Sequence, residues 1–253
     1  MIRSAIVSAF AGLLMWVCPP VFADTLSIAV AANLQYTFDE LRAGFKAETG
    51  HDLQATYNSS GKLTAQIMNG APFDAFLSAD MAYPERLYKE GFAVAAPKPY
   101  AYGTLVLWTM KPVTLSAWQM LLSSAAIDKI ALANPQTAPY GREAMKVLTY
   151  YKLDTALKTK LVFGESISQT NQYIHSRAAD IGFTAKSVVV SPALKGQGKW
   201  IELPKDSYTP IAQGAVILRH GQQNNPDLAR QFHDFLYSPK ARAIYERNGY
   251  LLP

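Results

Sequence analysis

Apolar positions along the chain switch between two periods. Leu26, Ile28 and Val30 recur at every second residue, and Leu34, Phe38, Leu41 and Phe45 then follow at helical spacing. The first period predicts a buried strand over 26–30 and the second an amphipathic helix over 34–48, closed by Gly50. Between them lies Ala29-Val-Ala-Ala-Asn-Leu34, whose small residues allow a sharp strand-to-helix turn. Such a turn leaves the first N–H groups of the helix without intrahelical partners, and together with the helix dipole they make an anion site. Asn33 stands at the N-cap position, where its amide either donates into that opening or caps its own helix.

The same switch repeats down the chain. A strand over 53–57 leads through Asn58-Ser-Ser-Gly61 to a helix carrying Leu63, Ile67 and Met68, and Gly70-Ala-Pro72 breaks it. Phe73–Leu77 is a short strand, followed by another loop-to-helix passage at Ser78-Ala-Asp80. Strands are predicted again over 104–108, 130–133, 181–184 and 215–218, and helices over 116–122, 143–151 and 169–176. Asn225-Pro226 and Ser238-Pro239 each place a cap before a helix-starting proline, and Gly249 ends the last helix. Alternating strands and helices argue for an α/β fold with parallel strands. The break at Pro97 and Pro99 divides the pattern into two α/β lobes, with a single doubly wound sheet as the competing arrangement.

Composition narrows the classes. Residues 1–23 read as an export signal: Arg3, an apolar run from Ala5 to Val17, and a small-residue cleavage site at Val21-Phe-Ala23. Cleavage there leaves a chain starting at Asp24 and removes Cys18, the one cysteine, so disulfides and thiolate metal sites are excluded from the exported product. The 253 residues carry a net charge of +5 with no long basic run, which gives no nucleic-acid footprint.

Candidate chemistry is a set of helix starts. The Ser59-Ser60 hydroxyls precede Gly61, which lets backbone approach a ligand. Gly61-Lys62 resembles a phosphate loop, but Leu63 stands where Ser or Thr is required. The loop 134–141 presents Tyr140, whose bland alternative is a packing aromatic with its hydroxyl in water, and Glu165-Ser-Ile-Ser168 opens a further helix. His51, His175, His220 and His233 have no metal-ligand spacing, and neither a Gly-x-Ser-x-Gly elbow nor a Gly-x-Gly-x-x-Gly fingerprint occurs. The chain reads as a binder and not as an enzyme, and no cofactor is expected.

Taken together, Val30-Ala-Ala-Asn-Leu34, Asn58-Ser-Ser-Gly61, Gly70-Ala-Pro-Phe-Asp-Ala-Phe-Leu-Ser-Ala-Asp80, Asn134-Pro-Gln-Thr-Ala-Pro-Tyr-Gly141 and Asn248-Gly-Tyr250 closely resemble the periplasmic molybdate-binding proteins, the solute receptors of molybdate ABC transporters. The resemblance implies a two-lobed type II periplasmic binding protein fold with the ligand in the interlobe cleft. It assigns 24–104 and 208–253 to lobe 1 and 105–207 to lobe 2, with crossovers near Thr104 and Ser207. It implies oxyanion contacts at Ala32, Asn33, Ser60, Tyr140 and Ile167, and molybdenum held only as molybdate, without direct metal ligands. Many members carry a tyrosine ligand at the place of Ala185, and Tyr140 is inferred to replace it from the opposite wall. Molybdate is a dianion needing donors only, so a pocket of N–H and O–H groups suits it, and tungstate should bind about as well. By the same resemblance the partners are an ABC permease and its ATPase, the product is periplasmic, and the protein is a monomer. A related oxyanion such as sulfate or chromate in the same fold, and more remotely a secreted α/β hydrolase, are the alternatives.

Overall fold

The computed structural model describes residues 25–253. The export signal and its cleavage site lie outside the described residues. Ten strands form two five-stranded sheets. The first contains β1 (Thr25–Ala31), β2 (Asp52–Asn58), β3 (Ala75–Leu77), β4 (Lys98–Gly103) and β10 (Ile211–Ile217) in the order β2-β1-β3-β10-β4. The second contains β5 (Leu105–Thr109), β6 (Ile130–Ala133), β7 (Leu161–Gly164), β8 (Ile181–Ala185) and β9 (Lys199–Glu202) in the order β7-β6-β8-β5-β9. Two separate sheets agree with the two-lobed α/β expectation and set aside the competing single doubly wound sheet.

The strand directions correct the all-parallel expectation. In the first sheet β1 runs parallel to β2 and β3, but β10 is antiparallel to β3 and β4. In the second, β6 is parallel to β7 and β8, and β5 is antiparallel to β8 and β9. Apolar period alone does not encode direction, since both ladders bury the same alternating face.

Why the first sheet holds together follows from its pattern. Leu26, Ile28 and Val30 of β1 face α1 (Gln35–Thr49), while the intervening Ala29 joins Phe76 and Val216 on the opposite face. On the first face Phe38 and Phe45 of α1 meet Phe232 of α10 (Pro226–Phe235) edge-on, at centroid distances of 6.4 and 5.5 Å. On the other, Leu63 and Ile67 of α2 (Ser60–Met68) pack with Leu87 of α3 (Ala82–Lys89). Both faces are therefore covered. Gly50 ends α1 in the left-handed region at φ +77°, where its N–H reaches the Lys46 carbonyl.

The remaining helices are α4 (Trp118–Ser123), α5 (Pro139–Tyr150), α6 (Asp154–Leu157), α7 (Ile167–His175), α8 (Lys186–Val189), α9 (Arg219–Asn224) and α11 (Pro239–Arg247). No helix among the described residues is long and apolar enough to cross a membrane. The chain passes from the first sheet to the second between Gly103 and Leu105, and returns between Glu202 and Ile211. Residues 251 and 102 exchange two backbone hydrogen bonds, of 2.7 and 2.9 Å, which pins the C-terminal segment beside β4.

Candidate functional site

Four helix starts converge where the two sheets face each other. One is a single 3-10 turn, Ala32–Leu34, that runs on into α1; the others are α2, α5 and α7. They surround one small, tightly closed cavity of about 10 Å³, lined by Ala31, Ala32, Asn33, Ser59, Ser60, Ala79, Ala138, Pro139, Tyr140 and Ile167. The cavity thus gathers all five residues implied by the family resemblance, drawn from both sides of the chain crossover. None of the lining side chains is a carboxylate, an amine or a guanidinium. The first-turn N–H groups and the hydroxyls leave its polarity dominated by donors.

Each wall has a local reason for its shape. Ser166 caps α7 by accepting from the Gln169 N–H, so Ile167 is the first helical residue and its N–H lies outside the helical ladder. Proline occupies the first position of α5, where its missing N–H costs nothing, and Tyr140 follows within the first turn. This corrects the loop reading of 134–141: helix α5 begins four residues before the predicted start at 143, and Tyr140 is 1% exposed instead of lying on a wet surface. Ser60 Oγ accepts the Ala79 N–H at 3.0 Å, which leaves its own hydrogen available.

Asn33 departs from its expected role. It caps no helix: Ala31 and Leu34 hold the cap positions. Its Nδ2 donates to Gln213 Oε1 at 3.0 Å and to Tyr250 Oη at 3.1 Å, and its carbonyl accepts from Ser187 Oγ at 3.0 Å. Both amide hydrogens are therefore engaged behind the cavity, and the backbone N–H is the donor that Asn33 keeps for it. Ala185 lies buried at the end of β8, away from the lining residues.

Sequence reasoning named the Ser59 hydroxyl without carrying it into the contact set, and missed further participants. Ser59 Oγ is buried beside the cavity with no hydrogen-bond partner among the described residues. The serine doublet was a signal for it, since either hydroxyl is in reach of the same turn. Gln213, Tyr250 and Ser187 line up behind Asn33 and Tyr140; in the sequence Gln213 shows only as a polar residue at an inward strand position, and Tyr250 only as the end of the Asn248-Gly-Tyr250 segment, with no role assigned.

The mouth is closed by contacts between the two halves. The Gly61 N–H donates to the Thr137 carbonyl at 2.8 Å, Ser168 Oγ donates to Gln35 Oε1 at 2.7 Å, and Lys62 Nζ pairs with Glu165 at 2.6 Å. Arg142 pairs with Asp80 and lies over the ring of Tyr83, whose hydroxyl reaches the Gln136 carbonyl. Lys62, beside the glycine of the failed phosphate-loop pattern, is part of the rim. These rim charges are paired, so the interior field is left to the helix starts.

Burial pushes the hydroxyls of Tyr100 and Tyr140 well above their ordinary range. Burial also pushes Tyr250 up to about 12, although hydrogen bonds from its neighbours pull the other way. Their unfolded values lie near 10, so the stability tied to the neutral hydroxyls is intact below about pH 10 and is lost as pH rises toward 12. Urea midpoints should hold steady from about pH 8 to 10 and then fall steeply. A midpoint unchanged at pH 12 would contradict the burial of these groups.

Comparison with known proteins places the chain in a family. Residues 26–251 match the sequence profile of the family described as bacterial extracellular solute-binding protein. The molybdate-binding protein ModA of Azotobacter vinelandii is 39% identical over 229 residues, covering 90% of each chain. That of Rhodobacter capsulatus is 36% identical, covering 94% of this chain and 93% of its own. Among solved structures, the periplasmic molybdate-binding protein of Azotobacter vinelandii superposes with a TM-score of 0.84 at 38% identity, over 90% of this chain and 99% of that one. The chain belongs to the bacterial extracellular solute-binding protein family, a family of substrate-binding receptors, and its fold is the two-lobed one of periplasmic binding proteins.

Proposed function

We propose that the protein is a molybdate receptor that holds the dianion in the cavity between the two sheets. The observation that carries this reading is the donor-only lining: four helix starts with Ser60 and Tyr140, and no acidic or basic side chain. Ala32, Asn33 and Ile167 contribute backbone N–H groups, and Ser60 and Tyr140 contribute hydroxyls. Ser59 is the further hydroxyl within reach. Each hydrogen bond to a charged ligand supplies roughly 1.5–3 kcal/mol, so five or more in a site shut from water support tight binding without a counter-cation. A protonated oxyanion such as hydrogen phosphate meets no carboxylate acceptor there, only hydroxyl oxygens, and is disfavoured. The names of the similar proteins from Azotobacter and Rhodobacter point to the same ligand.

In this reading residues 24–104 with 208–253, and residues 105–207, are two lobes that close about the crossovers at Thr104 and near Ser207. The rim contacts Gly61–Thr137, Lys62–Glu165 and Arg142–Asp80 are the closed-state clasp. Tungstate, of the same charge and nearly the same size, binds comparably. The monomeric receptor then delivers its ligand to an ABC permease driven by an ATPase.

Thermal unfolding with added oxyanions tests the ligand class. At a thousandfold excess over Kd, a ligand specific to the folded state adds about 4 kcal/mol, which moves the midpoint of a chain this size by roughly 8 °C or more. Molybdate and tungstate should produce that shift, and sulfate and phosphate should not. A shift with sulfate alone would move the specificity to the smaller anion, and no shift with any of them would remove the proposal.

A further inference from the structure

Behind the cavity, six buried polar side chains form one connected network, and Gln213 is its hub. Gln213 sits on β10 at a register shift between residues 213 and 214 and is wholly buried. Its Oε1 accepts from Asn33 Nδ2 at 3.0 Å and from Tyr100 Oη at 3.0 Å. Tyr100 Oη also lies 3.3 Å from the Ser78 carbonyl, so it is the Asn33 Nδ2 donor that sets the amide orientation, and Nε2 faces Tyr140 Oη at 3.3 Å. The other hydrogen of Asn33 Nδ2 goes to Tyr250 Oη at 3.1 Å, and Tyr250 is in turn bonded to Ser187. The Gln213–Tyr140 bond joins a strand of the first sheet to a helix of the second half.

This polarity has a consequence for Tyr140. A phenol has one hydrogen to give. Because Gln213 donates to its oxygen, that hydrogen is left for the cavity, which Tyr140 lines. We propose that Gln213 is a positioning residue that makes Tyr140 a donor to the bound oxyanion and denies it the role of acceptor. The inference rests on the proposed oxyanion site and deepens it: Gln213 touches no ligand, yet it sets both the strength of the Tyr140 contact and the rejection of protonated oxyanions. Without the amide N–H, the phenol oxygen is free to accept a hydrogen bond from a protonated ligand. Close packing supports a fixed arrangement, since a Cβ added at Gly103 would collide with Tyr140 Oη and come within 2.7 Å of Gln213 Nε2.

The test is a double-mutant cycle read by calorimetric titration with molybdate and with phosphate, using Gln213→Met, Tyr140→Phe and the double variant. Gln213→Met keeps the length of the side chain and removes its hydrogen bonds. The expected results are a loss of about 10- to 100-fold in molybdate affinity for each single variant. The double variant should be little worse than Tyr140→Phe alone, and Gln213→Met should show a reduced ratio of molybdate to phosphate affinity. Fully additive losses, or an unchanged ratio, would make Gln213 a structural residue and overturn the inference. If Tyr140→Phe binds molybdate as the wild type does, the site itself is misplaced. If only Gln213→Met does so, the positioning role alone is wrong. Should Gln213→Met fail to fold, the side-chain amide resonance of Gln213 in the wild-type protein provides the readout. It should move on molybdate addition, and move far less in Tyr140→Phe; an unmoved resonance in the wild type would overturn the proposal.

Discussion

Gly141→Ala is expected to lower the stability of the protein by about 3 kcal/mol and to weaken oxyanion binding sharply. Gly141 lies in the first turn of α5, directly against the end of β6. A Cβ there would fall inside contact distance of the Ala133 carbonyl oxygen and within 2.7 Å of its carbon. Both obstacles are backbone in a strand paired on both sides, so the helix is the element that has to move. The displaced turn is the one that carries Tyr140 into the cavity, and a shift on the order of 1 Å in a positioned group costs about 100-fold in comparable preorganised sites. Urea unfolding and molybdate titration of the variant read the two effects separately. Wild-type values in both would mean that α5 tolerates displacement and that its start does not fix the site.

Ser60→Ala combines two losses. The hydroxyl accepts the buried Ala79 N–H, and in the proposed site it donates to the anion. Removing it leaves the Ala79 N–H unpaired, at a cost of about 1–3 kcal/mol, and deletes a charge-assisted bond of roughly 1.5–3 kcal/mol. Affinity for molybdate should fall by about 100-fold, and the urea midpoint should fall with it. A loss of stability with full affinity would keep Ser60 as a brace for the 78–80 turn and transfer the anion contact to the neighbouring Ser59, whose hydroxyl has no other partner among the described residues.

Elements with a clean period were legible in the sequence. Strand β1 extends only one residue beyond each end of its predicted span, and β6 occupies the predicted 130–133. Strand β4 was not legible, because Pro99 interrupts its pattern and marks a break in composition. The sheet tolerates this proline because β4 is an edge strand, paired on one side to β10. Strand β9 is four residues long with charges at both ends, too short for a period to register. The antiparallel directions of β5 and β10 were hidden for a different reason: direction depends on how the chain crosses between sheets, which local spacing does not carry.

The site divides in the same way. Helix starts are local features, so the turns at 32–34, 59–61 and 166–168 were readable one by one, whereas 139–141 was read as the end of a loop, with its helix placed from 143. That they meet around one cavity came from the family resemblance, and the structure brings them together. The role of Asn33 was misjudged because its amide partners, Gln213 and Tyr250, lie 180 and 217 residues away in sequence. A cap is a local relation and a buried amide network is a tertiary one; the latter leaves only a polar residue in an apolar strand as its mark.

The most direct test of the account is calorimetric titration of residues 24–253 with molybdate, tungstate, sulfate and phosphate. A donor-only cavity between two closing lobes predicts tight binding of molybdate and tungstate at one ion per chain, with sulfate and phosphate giving no comparable heat. Tight binding of hydrogen phosphate would contradict the claim that the cavity offers no carboxylate acceptor, and the absence of heat with all four would mean that the converging helix starts do not form an oxyanion site.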